Sequence, residues 1–580
     1  MKSPRAALFA TFMIVSACAG EPRTWDTSSP APFVSDDAAD SSSPACLLQC
    51  SPDFRSVVRS CDDVVVETCP PELGCADARC IEPCAAAAVA KSSLGCEFYL
   101  QPPPVSQAYA NSCYAAYIVN SWNTPVDVVL EHDGRPLDLS GAVYRFVPGT
   151  ANIERSEGPI PPGDAVVVFL ASAPPASTSE VHVDCPAGTR PALDFWPLPK
   201  GTGRASSLHL TSNVPVSLST VYPFGGAASH YPSATLLLPV ATWGKQHIVV
   251  EPWQKILGYS ESPGVQIVAS EENTDVTVVP NVDIQDGVAI VGGKRGAALK
   301  YHLSRGEVLQ ISQAEELSGS LVDANKPISL FGGHDCMFIP SDVRACDSAQ
   351  QQIPAFEQWG SEYVAVRYRG RSGDNEASPY RIVAAVDGTV LTYDPAPPTG
   401  APSQMNAGKV VTFWTDSPFV VRSQDAEHPF YLAAYMSGAN TIPNNALGDP
   451  EFVNVVPAGQ YMSAYMFYAD PTYTETSLVL IRAKSTKGFE DVWLDCAGGP
   501  VEGWTAVDSA GRFEYRRVDL ARAGGHGETF PGGTCANGLQ RMRSKGPFTA
   551  TLWGWSDWAS YAYPGGMAQR KLVSRPLEVH

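Results

Sequence analysis

Beyond its first seventeen residues the chain has no apolar run long enough to cross a membrane. It also lacks the clustered lysines and arginines that phosphate binding requires, and its formal net charge of −20 argues against nucleic acid as a partner. No GxSxG elbow, Walker loop or HExxH pair occurs, so no catalytic residue and no cofactor is expected. Paired CxxC knuckles are missing as well. Only 17% of the residues are charged, while Gly (48) and Pro (50) are abundant, which points to many short strands joined by turns. A chain of 580 residues is too long for one hydrophobic core, so several domains are expected.

Lys2 and Arg5 precede an apolar stretch from Ala6 to Ala17, the length of a signal peptide. It ends in Val15-Ser16-Ala17-Cys18, which resembles the bacterial lipobox. That resemblance implies cleavage of residues 1–17 and acylation of Cys18, so that lipid holds the chain to a membrane. An ordinary leader with an incidental cysteine is the alternative. Ala19 and Gly20 follow, with no aspartate to retain the protein at an inner membrane. The expected destination is therefore a bacterial outer membrane, facing the cell surface or the periplasm. Residues 18–45 are rich in Ser, Pro, Asp and Ala and read as a disordered tether.

Setting Cys18 aside, fourteen of the 15 cysteines remain, an even number suited to an oxidising exterior. Seven lie between Cys46 and Cys84, which marks residues 46–95 as a small domain stapled by disulfides in place of a large core. The connectivity of the cysteines up to Cys185 stays open. Downstream, Cys336 with Cys346 and Cys496 with Cys535 are natural pairs. Zinc is the competing reading of the cluster, but no histidine falls between residues 46 and 84.

The body repeats itself. LTSNVPVSLSTVYPF followed by LLLPVATWGKQHIVV aligns with VDANKPISLFGGHDC followed by QQIPAFEQWGSEYVAV. The anchors are Pro215, Trp243 and Gly244 against Pro327, Trp359 and Gly360. Weaker copies surround Pro429, Pro457 and Pro547. Upstream of the anchors, apolar alternation broken by polar turns gives hairpins, as in GVQIVASEENTDVTVVP. Anchors recurring at about 100 to 120 residues suit one β-sandwich module each. The expected fold is all-β, with tandem sandwich-like modules at 96–240, 241–355, 356–457 and 458–580 after the stapled domain. A propeller-like arrangement is the alternative.

The GCEFY start at Gly95–Tyr99, the ENTDVTV hairpin, NKPISLFGGHDC, ACDSAQQQIP and WGSEYVAV resemble the bacterial lipoproteins that carry the IgGFc-binding protein N-terminal domain. The similarity covers roughly residues 95 to 560. It implies an extracellular interaction module, and no antibody-binding activity is carried over with it.

Other residues invite a chemical reading. His334-Asp335-Cys336 looks like a Cys/His pair, but a bridged Cys336 is no nucleophile. His230 lies in a comparable loop, without an acid at a shared offset to complete a metal site. Turns such as SEENTD, SGDNE and DSAGR carry carboxylates that suit solvated turns better than calcium. Trp553, Trp555, Tyr561 and Tyr563 share one face if TLWGWSDWASYAYP is a single strand, either as ligand contacts or as core. The function expected is that of a lipid-tethered adhesion, binding or scaffold protein for an extracellular protein or glycan. An envelope polysaccharide hydrolase using loop carboxylates and a purely structural component are the alternatives.

Overall fold

Polar turns join the strands, and some of them close hairpins. Asp133 and Gly134, at φ 50° and 69°, supply the left-handed pair that a two-residue turn needs between strands Val128–His132 and Arg135–Pro136. Asn273, at φ 55°, turns the chain between Pro263–Ala269 and Thr274–Val279, but this is not the expected hairpin: the two strands do not pair with each other, and each pairs instead with a different stretch of Leu321–Met337. The result is an all-β body with a disulfide-rich N-terminal region. The computed structural model describes residues 46–579, apart from 52, 106–109, 176–181, 230, 257–260, 374 and 444–445. The leader, Cys18, the tether up to residue 45 and His230 lie outside the described residues. Among the described residues the α-helix is Pro83–Ala90, and no helix is long and apolar enough to cross a membrane.

The same succession of strands recurs four times. Each repeat opens with a strand: Gly95–Leu100, Gly244–Ile248, Glu362–Ala365 and Met462–Ala469. In the first, second and fourth repeats a long strand follows later: Leu208–Tyr222, Leu321–Met337 and Gly538–Ser556. The first half of each pairs with the opening strand, and the second half passes into a different set of partners. Thus Leu208 pairs with Leu100, whereas Ser217 pairs with Val119. In the third repeat this course is broken into Phe419–Ser423 and Phe430–Met436. Its two sheets face each other around an apolar core, with Tyr380 and Phe413 of one 5.2 and 5.7 Å from Phe419 of the other.

The proline anchors now have a reason. Pro215, Pro327 and Pro547 sit where the long strand has left one partner and not yet met the next, and Pro429 sits in the break of the third repeat. A proline has no N–H to give a ladder, so it is tolerated where the ladder lapses.

Each repeat ends on an inner strand: Ser233–Leu236, Asp347–Ile353, Glu451–Asn454 and Ala559–Pro564. Each pairs with the long strand of its own repeat, or with Phe430–Met436 in the third. The four inner strands pack against one another in cyclic order, so the repeats surround a common centre. Sandwich-like repeats and the circular alternative are thus two levels of one structure.

The joints between repeats reinforce the circle. A short 3-10 turn at Val240–Thr242 precedes Trp243 and Gly244, and another at Phe356–Gln358 precedes Trp359 and Gly360. Both indole N–H groups donate five residues back, at 3.0 Å, to the carbonyls of Leu238 and Pro354. Joint bonds to joint: Gln358 donates to the Thr242 carbonyl at 2.6 Å, and Gln460 of the third joint, the 3-10 turn Ala458–Gln460, to the Gln358 carbonyl at 3.0 Å. After the last inner strand, Ala568 donates to the Gln460 carbonyl at 3.0 Å. One residue earlier, the Met567 carbonyl accepts from the Ser93 N–H at 2.9 Å, just ahead of the first repeat. The C-terminal segment therefore closes the ring.

Six cystines join Cys50–Cys75, Cys69–Cys80, Cys84–Cys96, Cys113–Cys185, Cys336–Cys346 and Cys496–Cys535, and Cys46 and Cys61 are also disulfide-bonded. Both downstream pairs match the expected ones. Cys84–Cys96 ties the helix to the opening strand of the first repeat, and Trp122 covers Gly74 so closely that a Cβ there would lie 2.8 Å from its ring.

Candidate functional site

A cleft of about 780 Å³ opens between the stapled region and the fourth repeat. One wall is the small antiparallel sheet of Leu48–Cys50, Ser56–Arg59 and Val65–Thr68. Its register sets Gln49, Val58 and Val65 side by side on one face, because cross-strand partners project the same way. Val57 projects oppositely and is buried with Cys69 and Cys75. One face of the sheet therefore covers the cystines and the other looks into the cleft.

The outer strand keeps an unusual surface. Val64, Val65 and Val66 are 46%, 53% and 54% exposed, where edge strands commonly carry charge. Leu47 and Leu48 are exposed nearby. The facing wall is the Met462–Met466 end of the fourth opening strand, which pairs along one side only among the described strands. Leu94 and Trp122 add apolar surface, Arg541, Lys545 and Arg570 line the cleft on the fourth-repeat side, and Asp53 and Asp63 line it opposite. Such a cleft offers apolar contact, charge and strand edge, and no acid–base pair for chemistry.

The ring centre is the other concentration of polar groups. The Gln351 side chain, fully buried, points its Nε2 at the carbonyls of Ala234 (2.9 Å), Phe452 (3.1 Å) and Ala562 (3.0 Å), one on each of the other three inner strands. Beside it lie the buried carboxyls of Asp347, Asp449 and Glu451. Burial, and then the neighbouring Asp449 and Glu451, push the Asp347 carboxyl well above the usual carboxylate range. Burial also raises Glu451 well above it and pushes Asp449 up to about 7, against the opposing pull of Arg371. These acids are sealed from solvent, so no polymer substrate reaches them. Their setting is that of a structural hub.

The residues singled out from sequence have varied places. Trp243 and Trp359 hold joints, and Gly244 and Gly360 open repeats against the next joint, where an added Cβ would lie 2.4 Å from that of Ala355 and 2.3 Å from that of Pro457. The His334 ring is buried and accepts the Cys336 N–H at 3.0 Å, while Cys336 is bridged to Cys346. The aromatic C-terminal stretch is not one strand. It turns at Asp557 and Trp558 into a hairpin in which Trp553 pairs with Ala562 and Gly554 with Tyr561. The turn shifts the alternation, so Trp553 and Trp555 face one side and Tyr561 and Tyr563 the other, and all four are at most 1% exposed. The cleft itself escaped the sequence. Its signal was the DDVVVET run, three valines between acids in a region with little core to fill.

A family model described as IgGFc binding protein matches residues 233–554. That span begins at the first inner strand, ends in the fourth long strand, and includes all three joints. The human IgGFc-binding protein is 26% identical over 299 residues, 50% of this chain and 5% of that protein. The chain thus spans about a twentieth of the length of this relative.

Proposed function

Since the chain belongs to the IgGFc binding protein family, we propose that it is a non-catalytic binding protein, held at a bacterial outer membrane by lipid on Cys18, that captures another protein in the cleft. The cleft carries the reading, because the half-exposed Val65 beside an open strand end is surface that an isolated body gains little by displaying. The lipobox-like VSAC and the Ser/Pro/Asp-rich segment behind it support the anchor and the tether.

Two measurements test this. Cys18→Ala should move the protein from the membrane fraction to the soluble fraction, and unchanged membrane association contradicts the anchor. The purified body should bind selectively and saturably within a panel of secreted proteins, immunoglobulin Fc among them, and mucin glycans. Met466→Glu should weaken that binding. Turnover of a polymer, or no saturable protein binding, overturns the reading.

A further inference from the structure

The charge of the fourth-repeat wall runs against that of the molecule. In a chain of net charge −20, the short run Arg541-Met542-Arg543-Ser544-Lys545 places three cations within five residues, and Arg570 lies across the same cleft wall. Most have internal engagements: Arg541 donates to the Gly163 carbonyl, the Arg543 guanidinium lies 5.6 Å from the Trp493 ring, and Arg570 donates to the Gly459 carbonyl at 3.0 Å. Lys545 is exposed and has no hydrogen bond or ion pair among the described residues.

Register explains why these cations line up beside an open edge. Ala464 pairs with Arg543 and Met466 with Arg541, so small or apolar side chains alternate with the basic row across one sheet face. On the far side of Met462–Met466 the cleft lies where another strand would sit. The opposite wall presents the half-exposed Val65 over the buried Val58, its cross-strand partner, and Asp53 and Asp63 line the same wall.

We propose that the cleft accepts an extended acidic peptide segment of a partner protein, apolar at alternate positions, added as a strand beside Met462–Met466. This rests on the binding reading above and names its partner chemistry. Main-chain amides meet the open edge of the fourth opening strand. Apolar side chains of the segment, two residues apart, meet Val65 and Met466, and its carboxylates meet Lys545, Arg541 and Arg570. An anionic polysaccharide would satisfy the cations but has neither amides for the edge nor alternate apolar groups for Val65 and Met466.

The experiment is selection of displayed random twelve-residue peptides on the full-length protein, followed by titration of the winners. Winners should be rich in Asp and Glu, with apolar residues at every second position. Their affinity should fall on the order of tenfold with Lys545→Glu, and again as salt rises. N-methylating alternate amides of a winning peptide should abolish binding while the protein is left untouched, which separates strand addition from a folding defect of the variant. Winners without acidic residues, indifference to N-methylation, sulfated polysaccharide binding in place of peptide, or self-association through the cleft would each overturn the proposal. Selective protein binding that is indifferent to Lys545→Glu and Met466→Glu sinks this inference but leaves a binding function in place. Absence of any protein binding sinks both.

Discussion

Replacing Gln351 by leucine keeps a buried side chain of similar size and deletes one amide at the ring centre. Nε2 has two hydrogens for three carbonyls, those of Ala234, Phe452 and Ala562 at 2.9 to 3.1 Å, so two bonds are made and one acceptor shares. Each net bond is worth about 1 kcal/mol, and a buried acceptor left short costs about 1 to 3 kcal/mol. The acceptors keep their other lone pairs, and leucine also removes the buried Gln351 Oε1, which has no partner among the described residues, so the summed loss should be about 1 to 3 kcal/mol. Because the three carbonyls belong to three different repeats, the loss should appear as loosening between repeats. The assay is equilibrium urea denaturation followed by tryptophan fluorescence, with limited proteolysis reporting cleavage between repeats. Gln404→Leu, on an exposed strand position, is the control and should change stability by less than about 0.5 kcal/mol. A Gln351→Leu protein as stable as the Gln404→Leu control would refute the idea that this amide ties the ring.

The buried acids predict stability that falls as pH rises. Their folded pKa values are raised, so the protonated forms stabilise the fold fully below the ordinary carboxylate range, and that contribution is lost on the way up to each folded value. For Asp449 the window runs from about 4 to about 7, at up to about 1.4 kcal/mol per pH unit, and Asp347 and Glu451, both raised well above the usual carboxylate range, act in the same direction. The urea midpoint should be higher at pH 5 than at pH 8, and Asp449→Asn should flatten the profile between pH 4 and 7. A midpoint that rises with pH contradicts this. Gly360→Ala should cost about 1 to 3 kcal/mol, since its Cβ would press against Pro457, whereas Gly499→Ala, with open space around it, should be nearly silent in the same assay.

Much of the architecture was legible because it is local. Alternating apolar residues and Asn or Gly turns specify strands and the turns between them, though not which strands pair, as the two beside Asn273 show, and Pro215, Pro327, Pro429 and Pro547 mark lapses in a ladder, a requirement felt by single residues. Trp243-Gly244 and Trp359-Gly360 stood out because a joint needs both a large ring and a position without a side chain. Closure of the ring was not legible. The bonds that make it run between residues about a hundred positions apart, such as Gln358 to Thr242 and Gln460 to Gln358, and no periodicity records them. The QQQ run at 350–352 was the visible hint, three polar residues inside a strand that burial would otherwise make apolar. The C-terminal aromatics conceal their hairpin for a related reason: the turn at Asp557 and Trp558 carries no Gly or Pro, so the aromatic alternation runs unbroken through it. The cleft depends on how the stapled region docks, which spacing of cysteines does not encode.

Hydrogen exchange of the full-length protein, with and without a bound partner protein, tests the binding role of the cleft most directly. Slowed amide exchange should be confined to Met462–Met466 and to the facing strands of the stapled region. Protection elsewhere on the body, with the amides of Met462–Met466 exchanging as fast as in the free protein, would contradict it.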